Sequence, residues 1–474
     1  MRNLFSTSST DNSSCFRLEL NNPPAVFIYY CKIELYMLSL LWQFLNQHTP
    51  LFYLTQPIWR DEAFSILIAQ TNPIEIIRAT SADFTPPLFY LILDYWILLF
   101  GTSEVATRLL SLIFHFGTAI IVYPLTKLLY RELKLKNQQL PLYASILTFL
   151  NPMLLYYGFE VRAYSLLTLF VTLSFYALIT RRKYIYIISA GLGLYTHYYF
   201  ILAYLAQIIY LVFTTSSIKA VKKKLYVTIP VVVFAPWIPY LINQIRASSE
   251  SWYYPITQQT WLTSLASLFT NYQSKPASLD KPLTYLTIAT IGLAIFLATK
   301  KTRMTKLLAI WLLFPPLTLL TISEFKPLWV NRYLLHIAVV ESILITLSIG
   351  MLSKKFHLLL FCLVTVCLIW FNSWFVDYQR KMDYRTPLQT LSQRLQPDDI
   401  VATTDSLVLF ETRYYLQRYM KSNITKILLK EGEHLPRYVG TAIIDKKDII
   451  YTLPTNNTVY LLNLDGSIIL KPKQ

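Results

Sequence analysis

The sequence is short of charged residues. Only 15% of its 474 residues are Asp, Glu, Lys or Arg, while 54% are hydrophobic and the mean hydropathy is +0.41. An ordinary soluble domain carries about 25% charged residues. The shortage argues against a typical soluble domain and favours a polytopic membrane protein.

Cysteine is also scarce. Four cysteines are too few and too scattered for a disulfide framework. Cys362 and Cys367 lie within one apolar run, where a thiol behaves as a small hydrophobic group. The sequence has no zinc or haem spacing, and its polar first 25 residues lack a signal-peptide pattern. We expect residues 1–32 to form a disordered cytoplasmic tail.

The net charge is strongly positive, at +17. A basic protein can bind nucleic acid, but here Lys and Arg stand in short clusters between apolar runs, as in the cytoplasmic loops of membrane proteins. We therefore expect no nucleic-acid partner. The clusters lie at 131–136, 181–183, 219–224, 300–306 and 354–355.

The order of apolar runs and basic clusters predicts the topology. A helix needs about 20 apolar residues to cross the hydrocarbon core, and two runs separate each cluster from the next, which puts all clusters on the cytoplasmic side. Run 86–100 is short and holds Asp94, so we assign it to the outer interface. Eleven spans remain, with the N-terminus cytoplasmic and the C-terminus external. They are 33–55, 105–130, 140–157, 164–180, 184–195, 199–213, 225–242, 283–298, 307–322, 333–352 and 356–376.

The last part of the chain has a different pattern. Short alternating runs at 399–402, 427–430, 448–453 and 459–464 are typical of strands, and 407–420 has a helical pattern. Residues 377–474 are therefore predicted to form a small external α/β domain.

Almost every ionisable residue outside the clusters and tails falls on the predicted outer face. Carboxylates near a bilayer are costly unless they are paired or functional. Asp61 and Glu62 alone could simply open a helix, because acids are favoured in a first helical turn. The presence of further ionisable residues on the same face favours a functional site. The other members are Asp83, Arg108, Glu160, Arg162, His197, Lys326 and Arg332.

Four motifs follow one another in the first part of the chain: Asp61-Glu62-Ala63, 83–90, 99–104 and 108–111. Their order and spacing resemble the first module of the GT-C glycosyltransferases, specifically glycosyltransferase family 39, and a looser match continues through 160–165, His197-Tyr198 and Arg332-Tyr333. This family includes protein O-mannosyltransferases, and the lipid A aminoarabinose transferase is a close relative. The resemblance implies an all-α polytopic GT-C membrane domain over 33–376, located in the plasma (inner) membrane.

The resemblance also implies a chemistry. Such enzymes move a sugar, with inversion, from a polyprenyl-phosphate donor to an acceptor hydroxyl on the outer face. Asp61 and Glu62 would be the catalytic residues, with Asp61 as the general base and Glu62 orienting it or binding a cation. The lipid phosphate leaving group needs cations, for which the candidates are Arg162, Lys326 and Arg332. Supporting roles fall to Asp83, Arg108 as a partner of the carboxylates, Glu160, His197 and Tyr333.

Several alternatives remain open at this level. A divalent cation could bind through Asp61, Glu160 and His197, although these do not make a closed ligand set. Glu160 and Arg162 could merely form a salt bridge, and His197 could be a hydrogen-bonded interfacial histidine. Arg108 could anchor to lipid headgroups.

The family pattern is incomplete, which leaves the substrates open. Thr85 stands where protein O-mannosyltransferases have His before the Pro-Pro pair, and no large β-trefoil insertion is present. Mannose is therefore not favoured over other sugars, and a protein is not favoured over a lipid or a glycan as the acceptor. Two rival functions also remain, a transporter or flippase of lipid-linked glycans and a non-catalytic glycan-assembly subunit.

Overall fold

The computed structural model describes residues 25–214, 224–247, 253–271, 279–300, 302–420 and 424–473. The chain divides into two units, 1–47 and 48–474. The first unit contains helix α1 (Ala25–His48), whose 24 residues give a length of about 36 Å. The helix begins before the predicted limit of the tail at residue 32. Residues 1–24 of that tail lie outside the described residues.

The second unit is mainly helical. Short 3₁₀ turns join or extend several of the helices, for example at Leu225–Thr228 and Asn331–Leu334. The helices are α2 (Phe52–Thr55), α3 (Arg60–Ala69), α4 (Pro73–Ala82), α5 (Leu88–Phe100), α6 (Glu104–Glu132), α7 (Leu140–Phe149), α8 (Pro152–Gly158), α9 (Tyr164–Ile179), α10 (Lys183–Thr196), α11 (Phe200–Thr214), α12 (Ile229–Phe234), α13 (Ile238–Ala247), α14 (Gln258–Thr270), α15 (Asp280–Ala298), α16 (Arg303–Ser323), α17 (Ile337–Met351), α18 (His357–Tyr378), α19 (Arg385–Ser392) and α20 (Leu409–Met420).

The helices agree with a polytopic membrane protein. Each of the eleven predicted runs is helical over most of its length, and α5 covers the predicted interfacial run. By length and composition, the described residues contain five helices able to cross a membrane, or six if one bent pair counts as a span. The five are Glu104–Glu132, Leu225–Arg246, Asp280–Ala298, Arg303–Ser323 and Lys354–Tyr378. The count of eleven spans stays a prediction.

One predicted span is broken. Run 140–157 consists of α7 and α8, which meet at an angle of 56°. Pro152 lacks an N–H and cannot continue the helical ladder, while the Asn151 side chain accepts a hydrogen bond from the Leu154 N–H at 3.0 Å. Asn151 is therefore the N-cap of a new helix, α8. The bend directs the following loop, 159–163, toward α3, where the Val161 N–H donates to Glu62.

The predicted external loop 243–282 also contains regular structure. Helix α14 occupies its centre and begins at Thr257, whose hydroxyl accepts from the Thr260 N–H. The helix ends at Asn271, which adopts a left-handed conformation with φ +60°. A capped helix thus occupies part of this segment.

The C-terminal residues form the predicted small α/β domain. Five strands make one sheet in the order β3-β2-β1-β4-β5, in which β5 alone is antiparallel to its neighbour. The strands are β1 (Ile400–Thr403), β2 (Thr425–Leu428), β3 (Ile449–Ile450), β4 (Val459–Leu462) and β5 (Ile468–Lys471). Four of them overlap the predicted segments, β2 by two residues only, whereas β5, an exposed edge strand, was not predicted.

This domain shares a hydrophobic core with α3, α4 and α5. The rings of Phe64 and Phe410 lie 5.4 Å apart, and Gly440 approaches both so closely that a Cβ there would meet each ring at 2.8 Å. Gly440 has φ +86°, which favours glycine. The helix that carries the acidic pair is therefore packed directly against the C-terminal domain.

Candidate active site

The acidic pair opens helix α3. Trp59 is the N-cap residue with extended backbone, and both Asp61 and Glu62 lie in the first turn. The Glu62 carboxylate reaches back to the Trp59 N–H at 3.4 Å, as in a capping box. The helix-start interpretation is thus correct for the backbone. Because successive side chains on a helix point about 100° apart, the two acids face different surroundings.

Glu62 is completely buried and held by cations. Arg108 donates through Nε to Oε1 at 2.8 Å and through Nη2 to Oε2 at 2.7 Å, and Lys381 Nζ lies 3.0 Å from Oε2. The Val161 N–H adds a bond to Oε1 at 3.2 Å. Burial alone would raise the pKa of Glu62, but the charges of Arg108 and Lys381 outweigh it and bring the pKa to about 2.

These contacts correct the expected catalytic role of Glu62. Both carboxylate oxygens are occupied by the protein, and the side chain does not line the cavity described below. Arg108 is the predicted partner of a carboxylate, and the alternative of headgroup anchoring is wrong because the guanidinium is fully buried. It also donates to the main-chain oxygens of Leu54, Gln56 and Pro57, which fixes the segment leading into α3.

Asp61 faces a cavity of about 1190 Å³. The polar end of this cavity contains Asp61, Asp83, Arg162, His197 and Arg332. From there an apolar slot continues between α10, α11, α12, α13 and α16. The slot is lined by Leu194, Ile201, Leu202, Val231, Phe234, Ile238, Leu241, Leu319 and Ile322.

Two arginines approach Asp61 from different elements. Arg332 Nη2 lies 3.9 Å from Asp61 Oδ2, and Arg162 Nη1 donates to the Asp61 main-chain oxygen at 3.4 Å. Burial would raise the pKa of Asp61, but the combined charges of Arg162, Arg332, Arg60 and Lys381 hold it below its usual value. Asp61 is therefore a carboxylate at neutral pH.

Arg162 and Arg332 also lie on the ring of Tyr164. Their guanidinium carbons are 5.8 and 5.9 Å from its centroid. Arg162 further contacts Ser65 Oγ at 3.2 Å and Tyr90 OH at 3.3 Å. Planar guanidinium groups held in this way are suited to bind a phosphate.

Asp83 and His197 complete the polar end. Burial raises the pKa of Asp83, although its hydrogen bonds to the Phe84 N–H and Thr85 and the charge of Arg162 oppose this. Burial, with Arg162 and Arg332 nearby, lowers the pKa of His197 to about 3, so its imidazole is neutral. Its Nδ1 accepts from the Tyr199 N–H at 3.3 Å, and its ring lies 4.7 Å from that of Tyr333, which also lines the cavity.

Glu160 is buried behind the cavity wall. Among the described residues its Oε1 finds no hydrogen-bond partner, and burial raises its pKa to about 7, although Lys381 lowers it. The described part of the chain also shows no ion pair between the side chains of Glu160 and Arg162, so the alternative of a salt bridge is wrong; the bond between these residues joins the Arg162 main-chain N–H to the Glu160 main-chain oxygen, at 2.7 Å. Among the described residues, no group of three or more His, Cys, Asp or Glu side chains is arranged to hold a metal ion. The possible ligand set of Asp61, Glu160 and His197 is thus not assembled.

Lys326 does not join the two arginines. It is exposed after the end of α16 and does not line the cavity. Its main-chain N–H donates to the Ile322 main-chain oxygen at 3.0 Å, which continues the last turn of α16.

The sequence analysis missed Arg60 and the cavity-lining residues of the C-terminal domain. Arg60 lines the cavity and donates from Nη2 to the Tyr438 main-chain oxygen at 2.8 Å. The C-terminal domain adds Asp405, Ser406 and Tyr438 to the wall. Proximity to Asp61 in the sequence could have indicated Arg60, but no sequence pattern indicates which loops of a separate domain reach the site.

Comparison with known proteins agrees with this architecture. Residues 85–240, about a third of the chain, match the family model of dolichyl-phosphate-mannose-protein mannosyltransferase. The fold is similar to the crystal structure of ArnT from Cupriavidus metallidurans in the apo state, with a TM-score of 0.59 and 10% sequence identity. This similarity covers 92% of this chain and 93% of that chain. No curated protein is significantly similar in sequence.

The chain thus has a mainly helical fold with a small C-terminal sheet, similar to that of ArnT, and several helices long and apolar enough to cross a membrane. The predicted resemblance to the GT-C superfamily is confirmed by the family model over residues 85–240 and by the similarity in fold. At the general level, the family match supports a membrane glycosyltransferase.

Removal of Arg108 tests the buried ion pair. Arg108→Met leaves Glu62 with one cation in a site without solvent, and we expect a loss of about 3–5 kcal/mol in the free energy of unfolding, measured in detergent. Arg78→Met is the matched control, because its ion pair with Glu75 is exposed and its loss should cost at most about 1 kcal/mol. The Glu62→Gln/Arg108→Met double variant should be more stable than Arg108→Met alone. Equal losses for Arg108→Met and Arg78→Met would contradict the assignment.

Glu160 should make stability depend on pH. Its pKa is about 7 in the folded protein against an ordinary value of 4.5, so the unfolded chain releases the proton first. Stability should then fall by up to about 3 kcal/mol as pH rises from 4.5 to 7. In unfolding experiments, Glu160→Gln should remove the part of the pH dependence that Glu160 contributes. Glu75→Gln, on the exposed face of α4, should keep the pH dependence of the parent. Glu411, whose pKa burial raises to about 8, adds a slope of the same sign in both variants. An unchanged slope in Glu160→Gln would refute the assignment.

Proposed function

We propose that the protein is an inverting glycosyltransferase. It would move a sugar from a polyprenyl-phosphate donor to an acceptor hydroxyl on the outer face of the membrane. The observation that carries this proposal is the position of Asp61 beside Arg162 and Arg332, at the end of a cavity that continues into an apolar slot. A carboxylate and two guanidinium groups thus lie beside an apolar surface that suits a lipid chain.

The donor fits the two regions of the cavity. Aliphatic and aromatic side chains of the slot suit a polyprenyl chain, because burial of apolar surface is favourable. The donor phosphate would then lie at Arg162 and Arg332, where charge-assisted hydrogen bonds are strong. Lys326 has no place in this arrangement because it is outside the cavity.

The transfer step uses Asp61 as general base. Asp61 takes the proton of the acceptor hydroxyl while the acceptor oxygen attacks the anomeric carbon from the face opposite the phosphate. The bond between that carbon and the phosphate oxygen breaks, and its electron pair leaves with the phosphate. Arg162 and Arg332 stabilise the negative charge that develops there. The lowered pKa of Asp61 keeps it ionised before each turnover.

The remaining predicted residues act through position. Glu62 and Arg108 hold the start of α3, with Lys381 as a third member. Asp83, His197 and Tyr333 shape the polar end, and Glu160 lies behind it. The described residues offer no ligand set for the divalent cation considered from the sequence, so no step is assigned to a metal.

Replacement of the base gives the direct test. Asp61→Asn in proteoliposomes should lower transfer of radiolabelled sugar from synthetic polyprenyl phosphates by about 10²–10⁴-fold, with donor binding retained. Lys326→Gln is the matched control and should transfer normally, whereas Arg162→Gln and Arg332→Gln should raise the KM for the donor. Asp61→Asn that transfers as well as the parent would exclude Asp61 as the base.

The proposed sidedness has its own test. We place the N-terminus in the cytoplasm and the C-terminal domain outside the inner membrane, because the basic clusters share one side. With the native cysteines replaced by serine, Lys136→Cys should be protected from an impermeant thiol reagent added outside intact cells. Arg78→Cys on α4 should react. Both positions are exposed in the structure, so accessibility reports the side of the membrane. Labelling of Lys136→Cys from outside would refute the topology.

A further inference from the structure

The cavity has a second wall that no step of the proposed transfer uses. It is formed by the C-terminal domain loops at 405–407 and 436–440, together with Trp59 and Arg60. We call this the C-terminal wall. The apolar slot and the two arginines account for a donor lipid and its phosphate, which leaves the C-terminal wall available to an acceptor that reaches Asp61.

The wall is held in place by its own contacts. Asp405 Oδ1 accepts from the Leu407 N–H at 2.7 Å, which fixes the loop after β1. The loop 436–440 is tied to α3 by the bond from Arg60 to the Tyr438 main-chain oxygen, and Gly440 packs on Phe64 and Phe410. The side chains on the wall are thus carried by an ordered surface.

Three polar groups on this wall keep hydrogen-bonding capacity. Among the described residues, no protein donor binds Asp405 Oδ2, and no partner is found for Ser406 Oγ or Tyr438 OH. Asp405 and Ser406 are half-buried, and so is Tyr438. A carboxylate only accepts, whereas the two hydroxyls can both donate and accept. The wall also presents the aromatic rings of Trp59 and Tyr438.

This combination matches a sugar ring. A pyranose has an apolar C–H face that packs on aromatic rings and an edge of hydroxyls that donate and accept. A strongly anionic acceptor would meet the Asp405 carboxylate, while Arg60, the cation of this wall, already donates to the Tyr438 main-chain oxygen. An extended peptide would call for an unpaired strand edge or apolar side-chain pockets, and the C-terminal wall is made of short loops.

We propose that the C-terminal wall binds the acceptor and that the acceptor is a neutral carbohydrate, a glycan hydroxyl being the group presented to Asp61. This inference rests on the proposed glycosyl transfer for its purpose, but the binding itself requires neither donor nor catalysis. Asp405, Ser406 and Tyr438 are then the residues that determine the acceptor.

Binding is tested with the full-length protein in lipid nanodiscs by saturation-transfer NMR. The probes are the disaccharides maltose, cellobiose, mannobiose and chitobiose, and a short Ser/Thr peptide. We expect at least one disaccharide to bind and the peptide to give no signal. Asp405→Asn, Ser406→Ala and Tyr438→Phe should each weaken the binding about three- to tenfold. Glu431→Gln, on the exposed surface of the same domain, is the matched control and should leave it unchanged.

The outcomes separate this inference from the proposed function. Asp61→Asn should keep disaccharide binding while it loses transfer. Disaccharide binding without transfer by the parent would support the wall and count against the transferase. Transfer to a peptide alone, absence of disaccharide binding, or binding that none of the three wall variants weakens would overturn the carbohydrate acceptor. Because Tyr438→Phe and Ser406→Ala remove only a hydroxyl, a folding defect in Asp405→Asn leaves the test intact.

Discussion

The buried carboxylate of Glu62 is the contact on which the site depends. Four chain segments meet there: the start of α3, helix α6 through Arg108, loop 159–163 through the Val161 N–H, and the segment after α18 through Lys381. A charge without solvent is tolerated only when its partners are complete. The requirement is met here by two cations and two main-chain N–H groups, and any shift of one segment would break a bond to the same carboxylate.

This anchor explains why the two acids are adjacent. With Glu62 fixed toward α6, Asp61 is turned by about 100° toward the cavity. Asp61 keeps 20% of its side chain exposed and has a long 3.9 Å contact to Arg332, so its oxygens remain accessible to a substrate. The hydrogen bonds of Glu62 are all made within the protein, whereas Asp61 keeps oxygen atoms that can bind a substrate. A single acid could not serve as both the anchor and the reactive group.

Much of this arrangement could be predicted from the sequence. Hydropathy and the basic clusters indicated the helices, and the motif resemblance indicated Asp61, Arg162, His197 and Arg332, which the structure brings to one cavity. The exclusion of Lys326 could not be predicted, because the direction of a side chain after a helix end depends on local packing. The Asn151-Pro152 pair inside run 140–157 is the sequence signal for the break between α7 and α8, because proline cannot continue a helix. The C-terminal wall depends on contacts between residues more than 300 positions apart, such as Arg60 with Tyr438, and no local pattern encodes them.

The C-terminal domain is a fixed part of the site rather than an attached module. Phe410 and Tyr415 are fully buried against α3 and its approach, where Tyr415 OH also accepts from the Ile58 N–H at 2.8 Å. Burial of a large apolar side chain such as Phe contributes about 1.5–3 kcal/mol, and the shared core contains Phe64 and Tyr414 as well. Separation of the domain would therefore cost a large part of the stability of a typical domain, about 5–15 kcal/mol. The loops at 405–407 and 436–440 thus line the cavity as parts of the same packed unit as α3.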